Sequence, residues 1–335
     1  MTNVFTGPSS ILSKMIGYSG KSFLYDKKTA EIKQNDFEKI KDTAFKGGFF
    51  EIFIPPVEKL ELKKTANGFE ADYPASLNFD YALISYLRHC ASVLRNEYIS
   101  KNCINWICKP TDLDVPENDL RIMMVLHLAD ADAIDEELDM LDIFYALGVR
   151  SIAITWSRQN KFGYGSPYKF PGHPNVGSGL TKAGLNLVKK CNDLGIVIDT
   201  AHLNEAGFRD VAAHSSKPLV ISHGTPHSLN PSSRTFTDDM LKMIASANGI
   251  VGISLEGVKE SSSGYADDMF RHINYVVQKV GDNHVGFGSD MIVPGDEIKT
   301  LLPDIINLMA SKGYSESTID KIIFENWKRI FKSTL

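Results

Sequence analysis

Two histidines in the second half of the chain follow short apolar runs at matching positions. The run Ile196–Ile198 leads into His202, and the run Pro218–Ile221 leads into His223. Short runs rich in Val and Ile, bounded by Gly or Pro, are typical of buried parallel strands. Catalytic groups gather at the carboxyl ends of such strands, and neutral imidazole is a common metal ligand. The spacing therefore predicts two histidines at one edge of a parallel sheet, where they bind a metal ion or satisfy hydrogen bonds of the core.

The elements that must position these histidines alternate between strand and helix. Apolar runs predict eight strands, at Thr2–Phe5, Phe49–Ile54, Arg121–Leu128, Val149–Thr155, Ile196–Ile198, Pro218–Ile221, Gly249–Leu255 and Val285–Ser289. Helical spacing and caps predict helices at 35–43, 80–95, 134–145, 181–194, 205–214, 268–280 and 316–331, and one that begins at Thr237. Each parallel crossover needs a helix, so a single (β/α)8 TIM barrel domain over residues 1–335 is the economical α/β fold. A doubly wound sheet would carry a GxGxxG phosphate-binding sequence, which this chain lacks.

The composition of the 335 residues is that of an ordinary globular protein, with 43% hydrophobic and 23% charged residues. The formal net charge of -5 is mild and no basic run occurs, so nucleic acid is not an expected partner. Cys90, Cys103, Cys108 and Cys191 lack CxxC spacing, and we expect reduced thiols. The amino terminus has no signal-peptide pattern and no apolar run is long enough to span a membrane. We therefore expect a cytoplasmic protein with no membrane partner.

A long segment after the predicted fourth strand is rich in glycine and proline but also in aromatic residues. It contains Phe162, Tyr164, Tyr168 and Phe170. Loops of this length in compact domains are usually functional lids or disordered, and the aromatic residues argue against disorder. We expect this segment to roof the strand ends, with Tyr164 and Trp156 as candidate substrate-binding residues. Packing in the core is the alternative role for Trp156.

Seven blocks of sequence between about residues 47 and 331 match one known family in order and spacing. They read GGFFEIFIPP, LGVRSIAIT, GSGLTKAGLNLVKKCNDLGIVIDTAH, KPLVISHG, SSRTFTDDMLKMIASANGIVGIS, NHVGFGSD and GYSESTIDKIIFENWKRIF. In these blocks the chain resembles the membrane dipeptidase (renal dipeptidase) family of zinc metallopeptidases. The resemblance implies a TIM barrel of the amidohydrolase type that binds a pair of zinc ions. It also implies a homodimer that cleaves dipeptides, including those with a D-residue or a dehydro-residue in the second position.

Four residues match functional positions of that family. His202 and His223 match the histidines that hold one zinc ion. Arg234 matches the arginine that binds the substrate carboxylate, a task that suits the forked guanidinium. Asp290 matches the aspartate that handles the proton of the attacking water, so it is the predicted catalytic residue.

Other functional positions of the family are not matched. The place of its HxD pair after the first strand reads Thr6-Gly7-Pro8-Ser9, and its bridging glutamate falls at about Ala129. A substrate-binding histidine of the family falls at Trp156. The resemblance therefore implies an altered zinc site, which we expect to be mononuclear. His127 is the predicted third ligand beside the histidine pair, because it lies on the same strand face as Ala129.

Three functions remain open from the sequence. The first is a hydrolase that cleaves an amide bond of a small carboxylate-bearing substrate with about one zinc ion per chain. The second is a metal-free enzyme that reuses the pocket for other chemistry, and the third is a binding or scaffold protein without catalysis. Retention of His202, His223, Arg234 and Asp290 disfavours the third, because unpaired buried polar groups cost stability. We therefore favour the hydrolase.

Overall fold

A nine-stranded parallel sheet forms the centre of the protein. The computed structural model describes residues 4–5, 25–26, 31–32, 45–58, 60–95, 102–116, 119, 121–254, 264–288 and 295–335. Eight strands follow one another along the sheet in chain order: β1 (Val4–Phe5), β2 (Phe45–Ile52), β3 (Ile122–Leu128), β4 (Val149–Ala153), β5 (Val197–Asp199), β6 (Val220–Gly224), β7 (Ile250–Ile253) and β8 (Val285–Phe287). Each pairs in parallel with the next. The ninth strand, Ile104–Trp106, pairs with the first half of β3.

Helices occupy the connections, as parallel strands require. They are α1 (Phe79–Arg95), α2 (Asp139–Ala146), α3 (Lys182–Leu194), α4 (Glu205–His214), α5 (Asp238–Ser246), α6 (Tyr265–Val280), α7 (Gly295–Ser311), α8 (Glu316–Asp320) and α9 (Asn326–Thr334). A π-helical turn, Lys321–Glu325, joins α8 to α9, and 3-10 turns lie at Pro110–Leu113 and Asp282–His284. This alternation of strand and helix confirms the predicted (β/α)8 TIM barrel. Within these ranges no helix is both long and apolar enough to cross a membrane.

The strands are buried on both faces, because helices cover the outside of the sheet and side chains fill its inside. All seven residues of β3 are buried. Helix α3 buries Val188 and Cys191 of the apolar stripe that its sequence predicts, together with Leu187, while Leu185 and Leu194 of that stripe are half-buried. The core therefore supports the loops at the carboxyl ends of the strands.

Three of the helices that follow these loops begin at a side-chain cap. Thr181, Asn204 and Thr237 each accept a hydrogen bond from the backbone N–H three residues on, at 3.1, 2.8 and 3.3 Å. Such caps stabilise a helix by about 0.5–2 kcal/mol each. They fix the points at which the loops after β4, β5 and β6 end, and so give these loops a defined path over the strand ends.

Some helix predictions differ from the structure. The helix predicted from residue 134 begins only at Asp139, because Leu138 has a left-handed backbone conformation with φ of 67°. Helix α7 was not predicted, because Pro303 inside it reads as a helix breaker. The helix predicted at 35–43 lies outside the described residues.

The long aromatic segment after β4 is packed against the barrel mouth. Its residues Lys169–Phe170 pair antiparallel with Gly68–Glu70, which in turn pairs with Lys63–Thr65. Ser166 donates its backbone N–H to the carbonyl of His202 at 2.7 Å. The segment is therefore ordered, as its aromatic residues predicted, and it contacts the loop that carries the first candidate histidine.

Candidate active site

A pair of buried histidines lies at the carboxyl ends of β5 and β6. His202 follows β5 and His223 is part of β6. Their Nε2 atoms are 3.1 Å apart and their ring centroids 4.9 Å apart. Each Nδ1 atom forms a hydrogen bond with a serine hydroxyl, at 2.9 Å between His202 and Ser157 and at 2.8 Å between His223 and Ser222. The structure therefore brings together the two histidines that the sequence singled out.

The guanidinium of Arg234 contacts both imidazoles. Arg234 lies in the loop after β6 and is 8% exposed. Its Nη2 atom is 3.2 Å from the Nε2 atom of each histidine, and its Nη1 donates to the carbonyl oxygen of Ala201. Because a guanidinium only donates, an Nε2 atom that accepts from Arg234 must carry a lone pair, and in that arrangement each Nδ1 carries the hydrogen that its serine accepts. Two imidazoles thus face one buried cation.

The electrostatics of the cluster favour a neutral His202. Burial lowers the pKa of His202 well below its usual value, and the charges of Arg234 and His223 lower it further. The neighbouring carboxyl of Asp199 has its pKa raised to about 6 by burial, although hydrogen bonds from Ser222 and attraction to Arg234 work in the other direction. His202 is therefore a neutral acceptor near pH 7, and Asp199 is the nearby source of negative charge.

His127, the predicted third metal ligand, lies on β3 beside this cluster. Its Nδ1 atom forms a hydrogen bond of 2.9 Å with the hydroxyl of Ser151, and its Nε2 atom is 3.8 Å from Oδ2 of Asp199. Burial, and then the charge of His223, lowers its pKa to about 3. These contacts describe a neutral histidine within the barrel that faces a carboxylate. Its role as a metal ligand stays a prediction.

Trp156 forms an apolar wall next to the histidine pair. It is 3% exposed and packs with Phe53 and Ala129 in a small cluster separate from the main core. Its ring centroid is 5.2 Å from that of Phe53, 6.0 Å from that of Tyr168 and 5.8 Å from that of His202. The place that the resemblance assigns to a bridging glutamate is therefore apolar. Substrate binding by Trp156 stays a prediction, and packing is the role that the structure describes.

Tyr164, the other predicted substrate contact, is half-buried in the aromatic segment. Its carbonyl accepts a hydrogen bond from the backbone N–H of Asn204 at 3.2 Å. The next residue must be small: a Cβ atom at Gly165 would lie 1.8 Å from the carbonyl oxygen of Trp156. This close approach fixes the segment over the loop that carries Trp156, and the contact of Tyr164 with substrate stays a prediction.

The described residues do not make up the zinc site that the resemblance implies. Two nitrogen ligands on one tetrahedral zinc ion lie about 3.4 Å apart, so the spacing of the histidine pair alone is compatible with a shared ion. A catalytic zinc ion needs three protein ligands. The part of the chain that the structure describes contains no group of three or more His, Cys, Asp or Glu side chains able to hold a metal ion. The guanidinium, moreover, donates to the two nitrogens that would bind the ion.

A second polar cluster, which sequence reasoning missed, holds the loop after β4. Arg158 is fully buried and forms ion pairs with Asp130 and, at 2.7 Å, with Asp132. Tyr86 donates its hydroxyl to Asp130 at 3.0 Å. Burial, and then the charge of Asp130, raises the pKa of Asp132 to about 7, although Arg158 lowers it. From the sequence, Asp130 and Asp132 are candidate metal ligands or ordinary helix-capping residues, whereas in the structure their partner is a distant arginine. The cluster positions Ser157, the residue that bonds His202.

Two predicted parts of the site lie outside the described residues. They are Asp290, the predicted catalytic residue, and the Thr6–Ser9 segment, where the family's HxD pair would stand. The roles predicted for both stay predictions.

Comparison with known proteins identifies the family. Residues 10–334 match the family model "Membrane dipeptidase (Peptidase family M19)". An uncharacterised protein in the pqqA 5′ region of Klebsiella pneumoniae is 38% identical over 232 residues, which is 66% of this chain and 86% of that protein.

Two solved structures resemble the chain over nearly its whole length. The dipeptidase AC, a metallo peptidase of family M19, is 30% identical with a TM-score of 0.84 over 99% of this chain and 98% of its own. A metallo peptidase from Rhodobacter sphaeroides, liganded with a phosphinate mimic of the dipeptide L-Ala-D-Ala, is 28% identical with a TM-score of 0.82. That match covers 100% of this chain and 99% of the relative. The protein studied here therefore belongs to the membrane dipeptidase family, M19, whose members are dipeptidase-like metallohydrolases with this barrel fold.

Proposed function

We propose that the protein is a dipeptidase-like hydrolase that cleaves an amide bond of a small carboxylate-bearing molecule, with Arg234 as the carboxylate anchor. The observation that carries this proposal is the buried cluster of Arg234, His202 and His223 at the barrel mouth of a chain from a dipeptidase family. The relative that binds a phosphinate mimic of L-Ala-D-Ala supports a dipeptide-like substrate.

Arg234 has the charge and the surroundings that the proposed role needs. A guanidinium can meet a carboxylate with two parallel N–H···O bonds, and such bonds are stronger where little water competes. A substrate carboxylate would exchange the bonds from Nη2 to the two imidazoles for bonds to a full negative charge. Trp156 and Tyr168 would form the apolar wall beside the substrate, and Asp290 is proposed to handle the proton of the attacking water.

Binding without hydrolysis is the second candidate function. It is favoured by one specific observation: Phe53, Ala129 and Trp156 form an apolar cluster at positions where the resemblance places a metal-bridging glutamate and a substrate-binding histidine. A chain that has lost these groups could keep the ligand site and lose the reaction. Zinc on His127, His202 and His223, a homodimer and a cytoplasmic location are expectations that these observations leave untested.

The experiment that tests the proposal separates binding from cleavage. L-Ala-D-Ala, L-Ala-L-Ala and a dehydrodipeptide are each incubated with the protein. Binding is followed by calorimetry, and release of free amino acids by chromatography. Arg234→Met should weaken binding about 10- to 100-fold, the loss of one hydrogen-bonded charged contact.

The matched control is Arg209→Met, because Arg209 is a partly exposed arginine that pairs with Glu205 on α4. This variant should bind as the wild type does, and a dipeptide amidated at its carboxyl end should not bind to either protein. Binding without released amino acids selects the second candidate. Equal binding by wild type and Arg234→Met would contradict the assignment of Arg234.

A further inference from the structure

We infer that Arg234 takes the place of a metal ion at the histidine pair, so that no metal ion binds between His202 and His223 in this member of a metallopeptidase family. The inference concerns the resting site and does not depend on the proposed substrate. It assigns the two histidines a different role: they are positioning residues that hold a guanidinium.

The first support is the way in which the two imidazoles face each other. Their Nε2 atoms are 3.1 Å apart, and each lies 3.2 Å from the same Nη2 atom of Arg234. An –NH2 group carries two hydrogens, one for each acceptor. Two lone pairs this close would repel each other unless a shared positive charge lay beside both. In metallopeptidases that charge is the metal ion, and here the guanidinium provides it.

The second support is that other residues hold both the histidine pair and the Arg234 guanidinium in this arrangement. Ser157 and Ser222 form hydrogen bonds with the Nδ1 atoms of the two histidines, and where each serine accepts, the Nε2 lone pair points to the guanidinium. On the other side, Nη1 of Arg234 donates to the carbonyl of Ala201, and the guanidinium carbon lies 5.7 Å from the ring centroid of Tyr168. Hydrogen bonds at the far nitrogen are how proteins orient metal-bound histidines as well, so the outer contacts of a metal site have been kept around a different cation.

The third support is the apolar surroundings of His202 among the described residues. The cluster of Phe53, Ala129 and Trp156 places carbon atoms beside His202, with the Trp156 and His202 ring centroids 5.8 Å apart. A dication needs further oxygen, nitrogen or sulfur ligands in this position. It would also be repelled by a guanidinium that is only 8% exposed, since repulsion between like charges is weakly screened there. Arg234 and a metal ion are thus mutually exclusive at the histidine pair.

Removing the guanidinium should therefore create a metal site. Wild type, Arg234→Met and the double variant Arg234→Met/His202→Ala are produced without a histidine tag and titrated with Zn²⁺. Titration is repeated with Cu²⁺, which imidazole sites bind more tightly. Competition with a chromophoric chelator reports the affinity. Arg234→Met should bind at least about tenfold more tightly than wild type, because a charged donor is removed from both nitrogens. The double variant should lose that gain, and Arg209→Met should equal wild type.

Either of two results would overturn the inference. One is stoichiometric metal binding between the two histidines of the wild type, and the other is no gain of metal affinity in Arg234→Met. A measurement on the unaltered protein covers the case in which the variant does not fold. Long-range ¹H–¹⁵N NMR should show His202 and His223 as neutral Nδ1–H tautomers whose signals do not move with equimolar Zn²⁺. A hydrogen on either Nε2 would refute the arrangement. Neither measurement uses a dipeptide, so failure of the proposed hydrolysis leaves both outcomes unchanged.

Discussion

Removal of the Arg158 side chain should destabilise the fold far more than removal of an exposed charged residue. The guanidinium of Arg158 is fully buried, and it neutralises the carboxylates of Asp130 and Asp132. It also donates to the carbonyl of Ile54 at 3.4 Å, just beyond the end of β2. Arg158→Met keeps the length of the side chain but leaves two buried acids with no cation. The variant therefore tests whether this cluster holds the loop after β4 to the barrel.

The expected decrease in the free energy of unfolding follows from the burial of Arg158 and its two acids. Breaking a buried ion pair by removing one partner costs about 3–5 kcal/mol, because the other charge stays desolvated. This is a large part of the roughly 5–15 kcal/mol by which a typical domain is stable. The matched control is Lys242→Met: Lys242 and its partner Asp239 are 72% and 68% exposed, so their pair contributes about 0–1 kcal/mol.

Urea unfolding, followed by circular dichroism, measures both variants. With a slope of about 3 kcal/mol per M, Arg158→Met should lower the midpoint by about 1 M or more. Without the cation, the folded-state pKa of Asp132 rises further above its unfolded value, because Arg158 no longer lowers it. Ionisation of a buried acid without its cation opposes folding. The decrease in the free energy of unfolding should therefore be greater at pH 8 than at pH 5. Adding Asp130→Asn and Asp132→Asn to Arg158→Met should recover part of the lost free energy of unfolding. A loss below about 1 kcal/mol, equal to that of Lys242→Met, would refute the reasoning.

Three further predictions concern the same region. Because burial and the charge of Asp130 outweigh the attraction of Arg158, Asp132 keeps a proton in the folded state up to a pKa of about 7. Its contribution to the unfolding free energy should therefore fall as pH rises from 4 to 7, by up to about 1.4 kcal/mol per unit. Asp132→Asn should flatten that slope in urea titrations at stepped pH. Trp156→Ala should cost about 3–5 kcal/mol, since Trp156 is buried in its cluster. Trp106→Ala should lower the free energy of unfolding by less in the same assay, because Trp106 is only half-buried. Ser157→Ala should cost about 0.5–1.5 kcal/mol and shift the NMR signals of His202 more than those of His223; equal shifts would contradict the assigned hydrogen bond.

The barrel and the histidine pair were predictable because their signals are local. A parallel strand buried on both faces reads as a continuous apolar run, and the runs before His202 and His223 became β5 and β6. Parallel strands end at one edge, so residues at equivalent positions must meet there. The helix caps at Thr181 and Thr237 carried the same kind of local signal.

The parts that were not predictable depend on distant contacts or on conflicting local signals. The pairing of Arg158 with Asp130 and Asp132 joins the loops after β3 and β4, and no periodicity of either segment reveals it. Leu138 carries no sequence sign of the left-handed backbone that delays α2. Pro303 marks a break where the chain continues as a helix.

The histidine pair shows why fold and family membership do not decide the chemistry of this site. A histidine that ligates a metal and a histidine that accepts from a guanidinium have the same residue type, the same strand position and the same serine partner. The difference lies in what faces Nε2, and that depends on Arg234, which reaches the pair from a separate loop. In the arrangement inferred above, a neighbouring cation takes the position that a metal ion would occupy between the two Nε2 atoms. Retained histidines therefore do not by themselves indicate a retained metal.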